Sequence, residues 1–248
     1  MVVSPTVFFV VAVLVTYLVA GVVKGVTGMA LPTVAMGLLS LVIPPAEAAA
    51  ILVIPTLVTN AWQMTNGSQL LRLGRRFATM IVGIVVGTFA TIGLLTGAST
   101  AVASGVLGTV LVVYGLHGLL SRRIEIRPEF EKWLSPIMGL TSGMLAGATG
   151  ISFIPTVPYL NSLRLDTKEL IQSIGISAFT SALVLGLALA SRGRFQAAVV
   201  GSSFLALAPA LAGMYVGQHI RERLTVAVFR RWFLIALVAL GGYMVLRS

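Results

Sequence analysis

Apolar residues gather into blocks close to the roughly 20 residues that a bilayer crossing needs, with short polar breaks between them. Five blocks run from Val7 to Val23, Met29 to Ile43, Ala46 to Met64, Phe77 to Leu95 and Ala101 to Leu120. Five more run from Leu134 to Ala148, Ile151 to Leu163, Leu170 to Ala190, Phe195 to Gly217 and Leu224 to Leu246. Between the two series lies the most polar stretch of the chain, Ser121 to Lys132, which reads as a hinge between halves. The pattern predicts helices throughout, and it leaves no room for a separate soluble domain.

The halves repeat each other. Gly21-x-x-x-Gly25-x-Thr27-Gly28 returns as Gly143-x-x-x-Gly147-x-Thr149-Gly150 at an offset of 122. Pro32-Thr33-Val34 returns as Pro155-Thr156-Val157 at an offset of 123, so one residue is inserted between break and proline in the second copy. Glu47 and Glu169, each opening the next block, restore the 122 offset. Residues 1–120 therefore form a first repeat, 121–132 a cytoplasmic linker, and 133–248 a second repeat.

In each copy the first two blocks are short, about 15 to 17 and 12 to 15 residues, and they meet at Thr-Gly. At about 1.5 Å per residue each is barely a bilayer thickness or less. Each pair is either one long kinked crossing or a hairpin of broken helices that returns to its side of entry. Basic residues arbitrate, because short cytoplasmic loops carry the excess of Lys and Arg. Kinked crossings divide the loop cations ten to six, with Arg164, Lys168, Arg221, Arg223, Arg230 and Arg231 in the minority. Returning hairpins divide them thirteen to three, leaving only Arg192, Arg194 and Arg247 opposite. A hairpin plus three crossings is an odd number, so the second copy enters upside down. The expected fold is an all-α polytopic membrane protein of two inverted repeats, each a broken-helix hairpin plus three transmembrane helices, eight to ten membrane segments in all. Both termini are expected outside.

Composition supports the bilayer as main solvent: 57% of the 248 residues are apolar and 10% charged. A net charge of +10 would suggest nucleic acid in a soluble protein. Here Arg72, Arg75, Arg76, Arg122 and Arg123 sit in short loops at span ends, where they fix orientation instead. The chain has no cysteine, which excludes disulfides, zinc-thiolate sites and cysteine nucleophiles. The apolar start has no basic n-region before it and runs on past Lys24, so it reads as part of the fold and not as a cleaved signal.

Broken backbone at membrane depth is tolerable only where protein or a water-filled cavity surrounds it. A half-helix beginning after each break would direct free N–H groups and its positive dipole end inward, an anion-binding arrangement. Either Gly-x-x-x-Gly taken alone favours close helix packing; the duplication with Thr-Gly and Pro favours a site. Lys24, inside the first hairpin, either meets the substrate or snorkels to an interface. Thr56, Thr59, Asn60 and Gln63 lie in the third block, and Gln172, Ser173, Ser177, Thr180 and Ser181 in its counterpart, where they line a cavity or bond between helices. The substrate-binding set is Lys24, Gly25, Thr27, Gly28, Asn60, Gly147, Thr149, Gly150, Ser152 and Gln172, with Pro32 and Pro155 at the broken-helix hinges.

Catalysis finds no constellation. Asp166 is the only aspartate, no carboxylate sits at a block centre, and His117 and His219 lie near block ends without metal-ligand spacing. No cofactor is called for. Trp62, Trp133 and Trp232 near block boundaries suit an aromatic belt.

The two breaks with their prolines, from Gly21 through Thr27-Gly28 to Pro32-Thr33 and from Gly143 through Thr149-Gly150 to Pro155-Thr156, resemble those of the TauE/SafE sulfite exporter family over essentially the whole chain. The resemblance implies a protein of the cytoplasmic membrane that moves sulfite, sulfonates and related sulfur-containing anions. The family often shows Gly-Gly-Gly at each break, where this chain has Thr27-Gly28-Met29 and Thr149-Gly150-Ile151. The expected function is export of small sulfur-containing or carboxylate-like anions by alternating access around the hairpin tips. Lys24 and the helix starts would neutralise the anion, with Asn60 and Gln172 orienting it. A passive anion channel and a non-transporting accessory subunit are the alternatives. The expected partners are a small anion and the lipid bilayer, with no nucleic acid; a homodimer is compatible with the reading.

Overall fold

The structure is a computed structural model that describes residues 5–120, 126–223 and 226–248. Residues 121–125, with Arg122 and Arg123 of the expected linker, lie outside the described residues. The chain forms helices α1 (Pro5–Thr27), α2 (Leu31–Leu39), α3 (Pro45–Thr65), α4 (Leu70–Arg76), α5 (Ala78–Gly97), α6 (Thr100–Leu120), α7 (Pro128–Thr149), α8 (Phe153–Ser162), α9 (Thr167–Ser191), α10 (Ala197–Arg223) and α11 (Val226–Arg247). Among the described residues there is no strand. Among the described residues seven helices, α1, α3, α5, α6, α9, α10 and α11, are long and apolar enough to cross a membrane.

The expected elements recur with two corrections. The first arm of each hairpin is longer than its apolar block, 23 residues in α1 and 22 in α7. Lys24 does not end α1, because its backbone stays helical while its side chain is buried. α7 starts inside the polar stretch, where Pro128 suits the first helical turn and Glu129 and Glu131 face its positive dipole end. At about 1.5 Å per residue these arms span about 33 Å, whereas the second arms, of 9 and 10 residues, span about 15 Å. The other correction is α4, a short helix in what reads as a polar break.

The helices fall into two compact units, Met1–Pro55 with Ala98–Leu120 and Gly193–Ser248, and Thr56–Gly97 with Ser121–Arg192. Each unit draws on both sequence repeats.

In the first unit α1 packs along α10, α6 along α11, and α2 lies against α1. Glycine makes the first pairing close. A Cβ on Gly21 would stand 2.2 Å from the Ala210 carbonyl oxygen, and one on Gly25 2.3 Å from that of Met214. From the other side, Gly213 and Gly217 each leave 2.2 Å to the carbonyls of Leu18 and Val22. Two backbones thus touch without side chains between them, the arrangement small-xxx-small spacing permits. α3 shows how a helix interior tolerates proline. Pro55 has no N–H for the Ile51 carbonyl four residues earlier. Ser203 on α10 replaces that donor, giving its hydroxyl hydrogen to the Ile51 carbonyl at 2.7 Å.

In the second unit α5 packs along α7 by the same device. Gly139 and Gly143 would meet the Met80 and Ile84 carbonyls at 2.1 and 2.3 Å, and Gly83 and Gly87 answer from α5. α8 folds back along α7. Ser142 bonds Thr156, Ser135 lies 2.5 Å from the Tyr159 hydroxyl, and the Ile126 N–H donates to the Ser162 carbonyl at 3.0 Å. These partners lie progressively farther apart in sequence from the Thr149–Gly150 break, so the two arms run antiparallel and their outer ends meet.

Replacing Gly143 by Ala should destabilise the protein by about 1–3 kcal/mol, since one added methyl must push two backbones apart. Gly97→Ala, where nothing lies within 4 Å of the new carbon, should change stability by under about 0.5 kcal/mol. Thermal unfolding of the purified variants in one detergent checks the contrast.

Candidate functional site

The two breaks are built alike. α1 ends where Gly28 enters the left-handed region at φ 78°, its N–H donating to the Lys24 carbonyl at 2.7 Å. α7 ends where Gly150 does so at φ 75°, its N–H donating to Ala146 at 2.8 Å. This is the left-handed helix cap, which glycine adopts without the strain a Cβ brings. The preceding threonine completes it. Thr27 Oγ1 lies 2.7 Å from the Val23 carbonyl and accepts from the Met29 N–H at 3.3 Å. Thr149 Oγ1 donates to the Leu145 carbonyl at 2.7 Å and accepts from the Ile151 N–H at 3.3 Å. The hydroxyls thus stand in for backbone partners that the break removes.

The copies part at the inserted residue. The second loop reaches α8 through Ile151 and Ser152, the residue before the helix, whose backbone is in an ordinary conformation. The two loops are equally long, three residues each, and the inserted residue falls in the first turn of α8; in the first loop Ala30, the residue before α2, takes φ 77°, the only non-glycine residue with positive φ among those described. Pro32 sits in the first turn of α2, where a missing N–H costs nothing. Pro155 is the third residue of α8.

The remaining site residues divide between the units. In the first, Lys24 is only 4% exposed on α1, on the same stripe as the buried Val13, Tyr17 and Ala20. Gly25 faces the α10 backbone. In the second, Gly147 abuts the Thr88 carbonyl, Asn60 is buried on α3, and Thr149 and Ser152 are buried at the break. Gln172 is committed to the chain itself: its amide donates to the Met64 and Gly67 carbonyls at 2.9 and 3.1 Å and accepts from the Gln69 N–H at 3.3 Å. It fastens the loop after α3 to α9. Ser173, Ser177 and Ser181 form a buried stripe on α9, and the hydroxyls of Ser173 and Ser181, with Thr56 on α3, have no hydrogen-bond partner among the described residues.

Asp166 caps α9. Its carboxylate accepts from the Glu169 N–H at 2.8 Å while Glu169 reaches back to the Asp166 N–H, a reciprocal capping box. Glu169 also pairs with Arg72. Arg76 donates to Glu131 at 2.6 and 2.8 Å, and that bond pushes its guanidinium further above its ordinary value. Trp62, Trp133 and Trp232 are mostly exposed, as belt residues would be. Among the described residues no group of three metal-ligating side chains gathers.

Two signals were not legible in the linear chain. One is the zipper of Ser142, Thr156, Ser135 and Tyr159, which needs the hairpin register. The other is the buried hydroxyls of Tyr17 and Thr33, which have no partner among the described residues. The repeated Pro-Thr-Val marked Thr33 as a place to look, but not what faces it.

Long apolar helices and two helix breaks satisfied from within define a multi-pass membrane protein of the transporter class. The profile of the sulfite exporter TauE/SafE family matches residues 13–244, and the chain belongs to that family. No curated protein and no solved structure gives a significant match.

Gly28→Ala should cost about 1 kcal/mol through backbone strain alone, since nothing lies within 4 Å of the added carbon. Gly28→Asn should cost less, because Asn tolerates the left-handed region. Unfolding midpoints of the two variants measured side by side check the order.

Proposed function

We propose that the protein is a secondary transporter that exports small sulfur-containing anions of the sulfite and organosulfonate class by alternating access. The two broken-helix hairpins are its discontinuous elements. The observation that carries the reading is the duplicated Thr-Gly break, satisfied in the same way in both repeats and followed in each by a helix too short to span a bilayer. Helices of this kind leave N–H groups and a positive dipole end at membrane depth, which favours an anionic substrate. The family to which the chain belongs points to the same substrates.

In this reading the hairpins are re-entrant and the two repeats inverted. The folding of α8 back along α7, and the ion pairs that join α4 to the start of α7 and the start of α9, support it. The cytoplasmic membrane holds the protein with both termini outside, because this places the larger set of cations on the cytoplasmic face. In the first unit Lys24 and the start of α2 offer positive charge to an anion, and in the second unit the start of α8 does so. Asn60, Thr27, Thr149 and Ser152 are the polar groups nearest in kind to its oxygens, and Gly25, Gly147 and Gln172 hold the elements that carry them. An interior-negative potential favours exit by about 2.3 kcal/mol per charge per 100 mV, so export needs no carboxylate relay.

Purified protein in liposomes should take up labelled sulfite or a small sulfonate saturably and in response to an imposed potential. Lys24→Met should lower transport about tenfold or more, the loss of one charge-assisted contact, with folding retained. Flux that never saturates would make the protein a channel. No flux with any sulfur anion would remove the substrate assignment and leave the fold.

A further inference from the structure

The repeat makes each hairpin a control for the other. At the 122 offset, Ala20 on α1 corresponds to Ser142 on α7, Val13 to Ser135, and Lys24 to Ala146; at the 123 offset beyond the break, Thr33 corresponds to Thr156 and Met36 to Tyr159. In the second hairpin the polar members satisfy one another. Ser142 bonds Thr156, which also donates to the Ser152 carbonyl at 3.3 Å, and Ser135 meets Tyr159 at 2.5 Å. In the first hairpin the side-chain partners Ser142, Ser135 and Tyr159 have the apolar counterparts Ala20, Val13 and Met36, yet Thr33 remains. It is wholly buried, and its hydroxyl has no partner among the described residues. The wholly buried Tyr17 hydroxyl is in the same position.

Leaving a buried hydroxyl unsatisfied costs about 1–3 kcal/mol, and two within one hairpin is more than packing alone would retain. α2 lies against α1. Carrying the register of the second hairpin to the first sets Thr33 against Ala20, with Tyr17 a turn to one side and Lys24 a turn to the other. The cationic residue of the pair thus falls on the hairpin whose hydroxyls are unspent, and Ala146 on the one whose hydroxyls are closed.

We propose that the side chains between the arms of the two hairpins have divided their labour: in the first, Thr33 and Tyr17 donate hydroxyl hydrogens to oxygens of a sulfonate-like or sulfite-like anion beside Lys24, and in the second they close on one another as a clip that holds the hairpin and the start of α8 in shape. This rests on the anion-transport reading for the identity of the ligand, but not for the asymmetry itself.

The absence of native cysteine allows a direct test. Thr33→Cys, Thr156→Cys and an exposed control, Ser68→Cys, are exposed in permeabilised membranes to a negatively charged methanethiosulfonate and to its trimethylammonium counterpart. The expected result is modification of Thr33→Cys about tenfold or more faster than of Thr156→Cys, with the anionic reagent preferred and taurine slowing it, because reactivity follows access and local charge. Equal reactivity at the two positions, or reaction at Thr156→Cys alone, overturns the division of labour. Faster reaction at Thr33→Cys with no preference for the anionic reagent supports the division and overturns the anion reading.

A reciprocal pair tests the same idea in reconstituted protein. Ala20→Ser supplies Thr33 with the partner its counterpart has, and should raise the KM for sulfite about fivefold to tenfold while the unfolding temperature holds or rises. Ser142→Ala opens the clip, and should lower the unfolding temperature with KM unchanged. The reverse assignment of the two effects would sink the proposal.

Discussion

Inside a bilayer no water stands ready to bond a peptide group that loses its helical partner, and each such group left unpaired costs several kcal/mol. The rest of the structure depends on how the chain meets this constraint at the points where its helices stop. At Thr27–Gly28 and Thr149–Gly150 the solution is the same, a left-handed glycine that returns its N–H to the last helical turn and a threonine hydroxyl that joins the carbonyl four residues earlier to the N–H two residues later. At Pro55 the constraint is met from outside the helix, by Ser203. A break satisfied locally can be placed at depth without a lipid-facing penalty. That is the condition for a hairpin to end inside the membrane at all.

The glycines serve a second requirement. Hydrophobic burial does little to bring helices together in lipid, so packing must supply the attraction, and packing improves as backbones approach. Gly21 and Gly25 against Gly213 and Gly217, and Gly139 and Gly143 against Gly83 and Gly87, give two such contacts. Each joins the long arm of one hairpin to a crossing helix from the other sequence repeat. The hairpins are therefore held by the glycine faces of their long arms, and the polar variation lies between the arms, at Val13, Ala20, Lys24 and Met36 against Ser135, Ser142, Ala146 and Tyr159. A design of this kind keeps the framework fixed while the hydroxyls and Lys24 on the inner stripe can differ between copies.

Much of this was legible in the chain. Apolar blocks located the main helices, and the repeated Thr-Gly located both breaks, because helix caps follow from local residue type. The ends of α1 and α7 were misplaced because a buried Lys24 and a proline-led charged turn look like boundaries to a hydropathy pattern. The meaning of Gly-x-x-x-Gly stayed open for a physical reason: the spacing is set by helix geometry, and what lies opposite is set by tertiary packing. Gln172 shows the same limit. Its burial in an apolar block reads as a ligand group, yet its partners are carbonyls at the end of α3 and in the loop after it, more than a hundred residues earlier in the chain.

The ion pairs matter for topology more than for energy. Arg72 is largely exposed, and surface pairs of this kind contribute about 0–1 kcal/mol. Yet Arg72–Glu169 and Arg76–Glu131 tie α4, the start of α7 and the start of α9 to one end of the second unit. Arg192, at the far end of α9, lies instead by Gly93 on α5. A kinked single crossing through α7 and α8 would carry the start of α9 away from the start of α7, and neither pair could then share an end with the other. The returning hairpin brings both together, and it is also the arrangement that gathers the cations of these loops on one face. Charge distribution and hydrogen-bond register are independent observations, one set by insertion and one by folding, and they favour the same path of the chain.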